Sequence, residues 1–71
     1  MGVNFTNRLA RLRKVKGVSQ ERLSKLSGVS RVTIARIETG KNSPNLKTLE
    51  LLARALKVPV IDIVEGVMDV D

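Results

Sequence analysis

The chain has 71 residues, a formal net charge of +6, 42% hydrophobic residues and one aromatic side chain. This length suits one small domain, and the core must come from aliphatic side chains. Cysteine and histidine are absent, which excludes disulfides, thiolate zinc sites and catalytic pairs built on those side chains, so we expect neither a cofactor nor a metal.

The sequence contains no signal that directs the protein to a membrane or out of the cell. No apolar run approaches the roughly 18 residues of a membrane-spanning helix. The N-terminus lacks the apolar region of a secretory signal. We therefore expect a cytoplasmic protein that does not contact membranes.

The charges are unevenly distributed along the chain. Residues 1–47 contain 11 of the 13 lysines and arginines and 2 of the 7 acidic residues, a net +9, whereas residues 48–71 contain 2 basic and 5 acidic residues, a net −3. The sequence pI of about 10.6 exceeds the value of about 9 that is typical of nucleic-acid-binding domains. A basic front and an acidic back favour a protein with one side facing a polyanion, although charge alone is also compatible with an ordinary soluble surface.

The first predicted helix covers about residues 6–16. Phe5, Leu9 and Leu12 are spaced at i, i+4 and i+7, which predicts a narrow core-facing stripe, and Gly17 ends the helix. The rest of this helix is basic, and we expect most of its charged side chains to be solvated. They are Arg8, Arg11, Arg13, Lys14 and Lys16.

Two short helices joined by a turn follow. Ser19 is a favourable N-cap for the first of them, and Leu23 and Leu26 fall three residues apart on one face. Gly28 supplies the permissive backbone that a tight turn between helices needs.

The second of these helices is capped by Ser30 and ends at Gly40. With about 100° between successive residues, Ile34 and Ile37 point to the core. The opposite face has two arginines, short side chains and no acid. It consists of Val32, Ala35, Arg36 and Thr39, with Arg31 at its leading edge. Such a helix fits a DNA major groove, where arginine is the usual bidentate reader of guanine and a small apolar group can contact a thymine methyl.

A polar loop and two helices complete the predicted elements. Residues 41–44 form the loop, and Asn45 caps a fourth helix with a clear amphipathic pattern. Its core stripe consists of Leu49, Leu52, Ala53 and Leu56. Pro59 begins a short fifth helix that continues to about Glu65 and ends at Gly66.

The fifth helix carries more apolar residues than one face can bury. Of Val60, Ile61, Ile63 and Val64, some are expected in the core, and the others either lie exposed or meet a second subunit. Residues 67–71 alternate between apolar and acidic side chains, so a short strand, a dimer arm and a frayed end all stay open.

These elements predict an all-α fold, a compact bundle of about five short helices. We expect a single domain over residues 1–71, with 66–71 as a short tail. The predicted core combines the apolar stripes of the helices. It consists of Phe5, Leu9, Leu12, Leu23, Leu26, Ile34, Ile37, Leu49, Leu52 and Leu56.

An ordered series of residues runs through the middle of the chain. It consists of Ser19-Gln20-Glu21, Leu23, Gly28-Val29-Ser30, Thr33-Ile34, Ile37-Glu38, Gly40-Lys41, Pro44, Thr48-Leu49, Leu52-Ala53 and Ala55-Leu56. In this order and spacing the residues resemble the lambda-repressor-like helix-turn-helix family, also called the Cro or XRE type. The resemblance covers roughly residues 7–64. It implies a sequence-specific transcriptional regulator, a repressor that acts as a homodimer on an inverted repeat.

The resemblance also implies roles for individual residues. Arg31 and Val32 would meet base edges, with Arg36 one turn deeper, while Gln20 would touch a phosphate and brace the first recognition residue. Further candidates for phosphate contacts are Ser30, Thr33, Thr39, Lys41 and Asn42. The best-known phage members have glutamine at the first base-reading position, whereas Arg31 favours guanine, so their specificity code does not transfer.

Each of these roles has a structural alternative. The two arginines could be plain surface residues, Val32 could cover the edge of the core, and Gln20 and Thr33 could serve only in capping and packing. The resemblance further implies an ion pair between Arg13 and Glu38, although Glu38 could also be solvated. Buried pairs of this kind often fix geometry more than they add stability.

The expected partners are double-stranded DNA and a second copy of the chain, paired through residues 60–68, with no small-molecule ligand. An RNA-binding module is disfavoured because such modules usually stack bases on aromatic side chains, and Phe5 lies on a core stripe. An enzyme is disfavoured because no Gly-rich phosphate loop is present either. An antitoxin or protein-interaction module that retains the same fold stays compatible with the sequence.

Overall fold

A computed structural model of the protein describes residues 8–64. All the helices of this range are short, and no helix in it is long and apolar enough to cross a membrane. They are α1 Leu9–Val15, α2 Gln20–Ser27, α3 Arg31–Glu38, α4 Leu46–Leu56 and α5 Val60–Ile63. The predicted all-α fold is confirmed.

Side-chain N-caps define the starts of α2, α3 and α4, as the sequence predicts. Ser19, Ser30 and Asn45 each accept a hydrogen bond from the backbone N–H three residues later, at 3.0, 3.1 and 2.8 Å. Each bond satisfies a donor that has no partner within the helix, and a cap of this kind contributes about 1 kcal/mol.

Glycines with a left-handed backbone end the first three helices. Gly17, Gly28 and Gly40 have φ angles of +71°, +81° and +78°. After α3, the N–H of Gly40 donates to the carbonyl of Ile37 at 3.0 Å. The N–H of Lys41 donates to the carbonyl of Arg36 at 2.8 Å. This pair of bonds is a Schellman motif, and it fixes the direction in which the next loop leaves the helix.

One cluster of buried side chains joins the helices of the described range. Helix α2 packs against α3 and α4, α1 packs against α3, and α5 packs against α4. Leu12 is half-buried against the cluster, and Val29, which was not predicted for the core, is buried in the α2–α3 turn. The predicted core residues that are buried are Leu9, Leu23, Ile34, Ile37, Leu49, Leu52 and Leu56. Phe5 lies outside the described residues.

The prediction that Leu26 belongs to the core is wrong, because its side chain is 49% exposed. The buried face of α2 contains Leu23 and Ser27 instead. Ser27 is four residues after Leu23, about 40° around the helix, whereas Leu26 lies about 60° away on the other side. The Ser27 hydroxyl accepts the N–H of Val29 at 3.1 Å, so a small polar residue is satisfied where the turn brings α3 close.

The outer boundaries of the bundle also differ from the prediction. Helix α1 begins at Leu9 rather than near residue 6, and Arg8 in front of it donates its N–H to the carbonyl of Ile63 at 2.8 Å. Helix α5 ends at Ile63 rather than near residue 65, because Val64 has an extended backbone. The start of α1 is therefore bonded to the end of α5, which is distant in the chain. Residues 65–71, with the predicted helix stop and tail, lie outside the described residues.

Candidate nucleic-acid interface

The outward face of α3 has the composition that the sequence predicts. Arg31, Val32 and Arg36 are exposed, and so is Thr39, which caps the end of the helix. Ala35 lies half-buried between them. These residues and Lys41 surround one surface depression of about 360 Å³. Its lining consists of Arg31, Val32, Ala35, Arg36, Thr39 and Lys41.

The one acidic residue of α3 is turned away from this face. The Arg13 guanidinium of α1 donates two hydrogen bonds to the Glu38 carboxylate, from Nε at 2.7 Å and from a terminal nitrogen at 3.1 Å. The two side chains are 11% and 6% exposed. The structure thus brings Arg13 and Glu38 together as a bidentate pair, the planar geometry that arginine favours with carboxylates.

The hydrogen bonds of the Arg13 guanidinium favour its protonated form and fix its orientation. Its hydrogen bond to Glu38 raises the pKa of the guanidinium above its ordinary value, against the opposing effect of burial. A third donor of the same guanidinium bonds the carbonyl of Val18 at 2.9 Å. The bonds of this guanidinium join α1 to α3 and to the connection in front of α2.

Gln20 joins the same network, a contact that the sequence did not predict. Its side-chain nitrogen donates to Glu38 at 3.0 Å. The amide that was expected to touch a phosphate is therefore engaged with the ion pair in the unbound protein. Gln20 also lines, with Arg13 and Arg31, a depression of about 520 Å³ at the start of α2, next to the α3 face.

The hydroxyl groups at the start of α3 form a small capping network. The Ser30 hydroxyl accepts the Thr33 N–H and donates to Thr33 Oγ1 at 2.8 Å. Both residues lie at the edge of the α3 face, where a phosphate could approach the helix N-terminus.

At the other end of α3, Thr39 differs from this pattern. Its hydroxyl O–H donates to the carbonyls of Ala35 and Arg36, at 3.1 and 3.2 Å. The hydroxyl would have to leave both acceptors before it could donate to a phosphate. Lys41 is exposed beyond it, and Asn42 is half-buried.

The described residues contain no group of carboxylates that could hold a metal ion. The surface has cations, short side chains and hydrogen-bond donors. The protein has two short capped helices joined by a turn, and the second of them exposes this surface. This arrangement is that of a helix-turn-helix domain.

Comparison with known proteins establishes the family. The family model described as helix-turn-helix, HTH_3, matches residues 9–63. The chain belongs to this family of DNA-binding transcription regulators, which is not a family of enzymes.

Relatives carry the same description. An uncharacterised HTH-type transcriptional regulator of Sinorhizobium fredii is 39% identical over 64 residues, which are 90% of this chain and 78% of that protein. The HTH-type transcriptional repressor RghR of Bacillus subtilis is 39% identical over 66 residues, but the match spans only 46% of its length. The activator BcrR of Enterococcus faecalis is 31% identical, and the match spans 31% of its length.

Solved structures give the same fold. The restriction-modification controller protein C.AhdI of Aeromonas hydrophila superimposes with a TM-score of 0.75 at 38% identity, over 78% of this chain and 83% of that one. The controller protein C.Esp1396I superimposes with a TM-score of 0.69 at 27% identity, over 89% and 86% of the two chains.

Proposed function

We propose that this protein is a sequence-specific reader of double-stranded DNA that inserts α3 into the major groove and represses transcription as a homodimer. The observation that carries the proposal is the exposed face of α3. It presents two arginines and short side chains, while its one acid, Glu38, is turned inward and neutralised by Arg13. A surface of donors without an exposed carboxylate matches the acceptor-rich edge of guanine and the charge of the backbone.

The contacts divide into base readout and positioning. Arg31, Val32 and Arg36 would meet base edges from the centre of the exposed face. Lys41, at the end of the depression, would meet a phosphate of the flanking backbone. The other side chains proposed to meet phosphates lie around the edge of α3 and at the start of α2. They are Gln20, Ser30, Thr33, Thr39 and Asn42.

Two of these assignments require a rearrangement on binding. Gln20 must share its amide between Glu38 and a phosphate. Its proposed role of bracing Arg31 is supported by the depression that both residues line. Thr39 must release its two carbonyl acceptors. Changes of side-chain rotamer at an interface are common when partners bind.

The repressor and homodimer proposals rest on further support. A relative that is 39% identical is named a transcriptional repressor. One α3 helix presents only a few side chains to the bases, and each contributes roughly 1–3 kcal/mol of discrimination. Two copies on an inverted repeat would double the site, and the exposed Ile61 of α5 lies in the predicted interface over residues 60–68.

The test is selection of duplexes from a random library, followed by titrations of the selected operator and of a random duplex at one salt concentration. Arg31→Ala and Arg36→Ala should each lower operator affinity toward the non-specific level, with a much smaller loss on random DNA. Arg54→Ala is the matched control, because it removes the same charge from an exposed position on α4, outside the depression.

The fold should survive all three changes, since exposed substitutions usually alter stability by less than about 0.5 kcal/mol. If the two α3 variants lose affinity for operator and random duplex by the same factor, the arginines only attract phosphate. If no operator emerges from the selection, DNA readout is wrong and a protein-interaction module becomes the better explanation.

A further inference from the structure

Three surface depressions adjoin one another across α2 and α3. The α3 depression shares Arg31 with the depression of about 520 Å³ at the start of α2. That depression shares Ser19 and Glu21 with a third one of about 220 Å³. The exposed cations that line the three depressions are called the basic track below. They are Arg22, Lys25, Arg31, Arg36 and Lys41.

Glu21 is an acidic residue in the middle of this basic track. Residues 1–47 contain two acids, Glu21 and Glu38. Glu38 is 6% exposed and its carboxylate is bonded to Arg13. Glu21, in contrast, is exposed and lines two of the three depressions. Its carboxylate therefore lies on the surface that the proposed function turns toward DNA.

The negative charge of Glu21 is not compensated by a neighbouring cation. Lys25 is four residues later on α2, the spacing at which a glutamate and a lysine can pair on a helix. Within residues 8–64, however, the Glu21 carboxylate forms neither an ion pair nor a hydrogen bond. Its charge is therefore open to solvent and to any polyanion that binds the track.

The start of α2 is a place where this charge would act on DNA. In a helix-turn-helix domain the first helix of the pair crosses the DNA backbone while the second enters the major groove. Arg22 and Lys25 attract a phosphate at this crossing, whereas the carboxylate of Glu21 repels it. The repulsion does not depend on base sequence, because phosphate contacts carry no sequence information.

We propose that Glu21 is a negative determinant of DNA affinity, whose carboxylate repels the phosphates that pass the start of α2 and weakens binding to every duplex by the same factor. The inference rests on the proposed function and adds the residue that limits its affinity. Base preference stays with α3, while Glu21 raises the protein concentration at which an operator becomes occupied.

The first test is Glu21→Gln, which removes the charge and keeps the size of the side chain. It should strengthen binding to operator and random duplex alike, by about threefold at low salt, the effect that Coulomb's law in water gives for unit charges about 6 Å apart. The gain should shrink as salt is raised, because counterions screen the repulsion. Glu50→Gln is the matched control, since it changes the net charge equally at an exposed position of α4, outside the three depressions. That variant should leave both affinities close to those of the parent protein.

A second variant separates this role from a structural one. Glu21 lies in the first turn of α2, where an acid also interacts favourably with the helix dipole. A purely structural role predicts that Glu21→Gln lowers the melting temperature and leaves the affinity for DNA unchanged or weaker. Glu21→Asp keeps the charge, so it should bind both duplexes with an affinity close to that of the parent protein.

Two results would overturn the inference while leaving DNA readout intact. One is an affinity that Glu21→Gln raises no more than Glu50→Gln does. The other is a gain that is confined to the operator, which would make Glu21 part of base readout. A selection that yields no operator overturns the proposed function instead, and titrations of the random duplex still decide whether Glu21 opposes binding.

Discussion

Lys57 is the one residue other than glycine with a positive φ among residues 8–64. It ends α4 with φ +60° and ψ +44°, and its N–H donates to the carbonyl of Arg54 at 3.1 Å. The left-handed region costs an L-residue with a Cβ atom roughly 1 kcal/mol or more. Gly17, Gly28 and Gly40 meet the same requirement at the ends of the earlier helices without that cost.

We therefore expect Lys57→Gly to stabilise the protein, by about 0.5–1 kcal/mol, because the strain outweighs the added freedom of the unfolded chain. Thermal unfolding should show a rise of a few degrees, at roughly 4–8 °C per kcal/mol for a domain of this size. Lys25→Gly is the control, since Lys25 is an exposed helical residue of α2 and glycine there should destabilise. Equal destabilisation by both changes would contradict the prediction.

At the scale of elements, the Arg13–Glu38–Gln20 network joins three helices. The pair connects α1 to α3, and Gln20 adds α2 through its bond to the same carboxylate. Because the third guanidinium bond reaches Val18, the network also holds the α1–α2 connection. The orientation of α3 in the bundle thus depends on contacts that its last residue, Glu38, makes with α1 and α2.

Removal of one charge from this pair should be costly. Glu38→Gln keeps the size of the side chain but leaves the partly buried Arg13 guanidinium without its counter-charge, which we expect to cost about 2–4 kcal/mol. Urea unfolding measures the change. Glu50→Gln removes an acid from an exposed position of α4 and should alter stability by less than about 0.5 kcal/mol. If Glu38→Gln is no worse than this control, the pair contributes nothing to the bundle.

At the scale of the whole molecule, charge is segregated along the sequence. Residues 1–47 carry a net +9 and residues 48–71 a net −3. The first segment contains α2, α3 and the depression, so most of the positive charge belongs to the same part of the chain as the proposed contacts. Such a field attracts a polyanion and raises the rate of encounter.

Affinity for DNA should fall steeply with salt, because each neutralised phosphate releases counterions and contributes about −0.9 to the slope of log K against log salt. Lys41→Ala should reduce the size of that slope by about one and weaken operator and random duplex alike. The titration is repeated with Arg54→Ala, which should leave the slope close to that of the parent protein. A salt-independent affinity would contradict the phosphate contacts.

The proposed dimer makes a separate prediction. Half-sites in the selected operator should be inverted repeats whose centres lie about 10–10.5 base pairs apart, or a multiple of that. Ile61→Asp places a charge in the proposed interface at a residue that is 69% exposed in the single chain, so the fold should persist. We expect the dissociation constant of the dimer to increase about tenfold or more, which corresponds to a loss of at least about 1.4 kcal/mol of association free energy.

Sedimentation measures the dimer, and Leu46→Asp is the control. Leu46 is similarly exposed but lies outside residues 60–68. An equal effect of both charges would place the interface elsewhere. A parent protein that is monomeric both free and on DNA would remove the dimer proposal.

The sequence by itself determined the elements whose causes are local. Ser19, Ser30 and Asn45 bond backbone groups three residues away, and Gly28 and Gly40 take a backbone conformation that side chains resist. These preferences depend on residues only a few positions apart, so the spacing of residues in the sequence is enough to predict them. The same holds for the outward placement of the two arginines of α3, which follows from helical periodicity once Ile34 and Ile37 are buried.

Only the tertiary structure decided which of several suitable groups meet. Leu26 and Ser27 both adjoin the apolar stripe of α2, and the close approach of the turn buries the serine while the leucine stays exposed. Helix α1 begins where the Arg8 N–H reaches the carbonyl of Ile63. Gln20 bonds Glu38 because α2 and α3 bring both beside Arg13. Each outcome depends on distances between residues far apart in the chain, and local backbone preferences do not encode those distances.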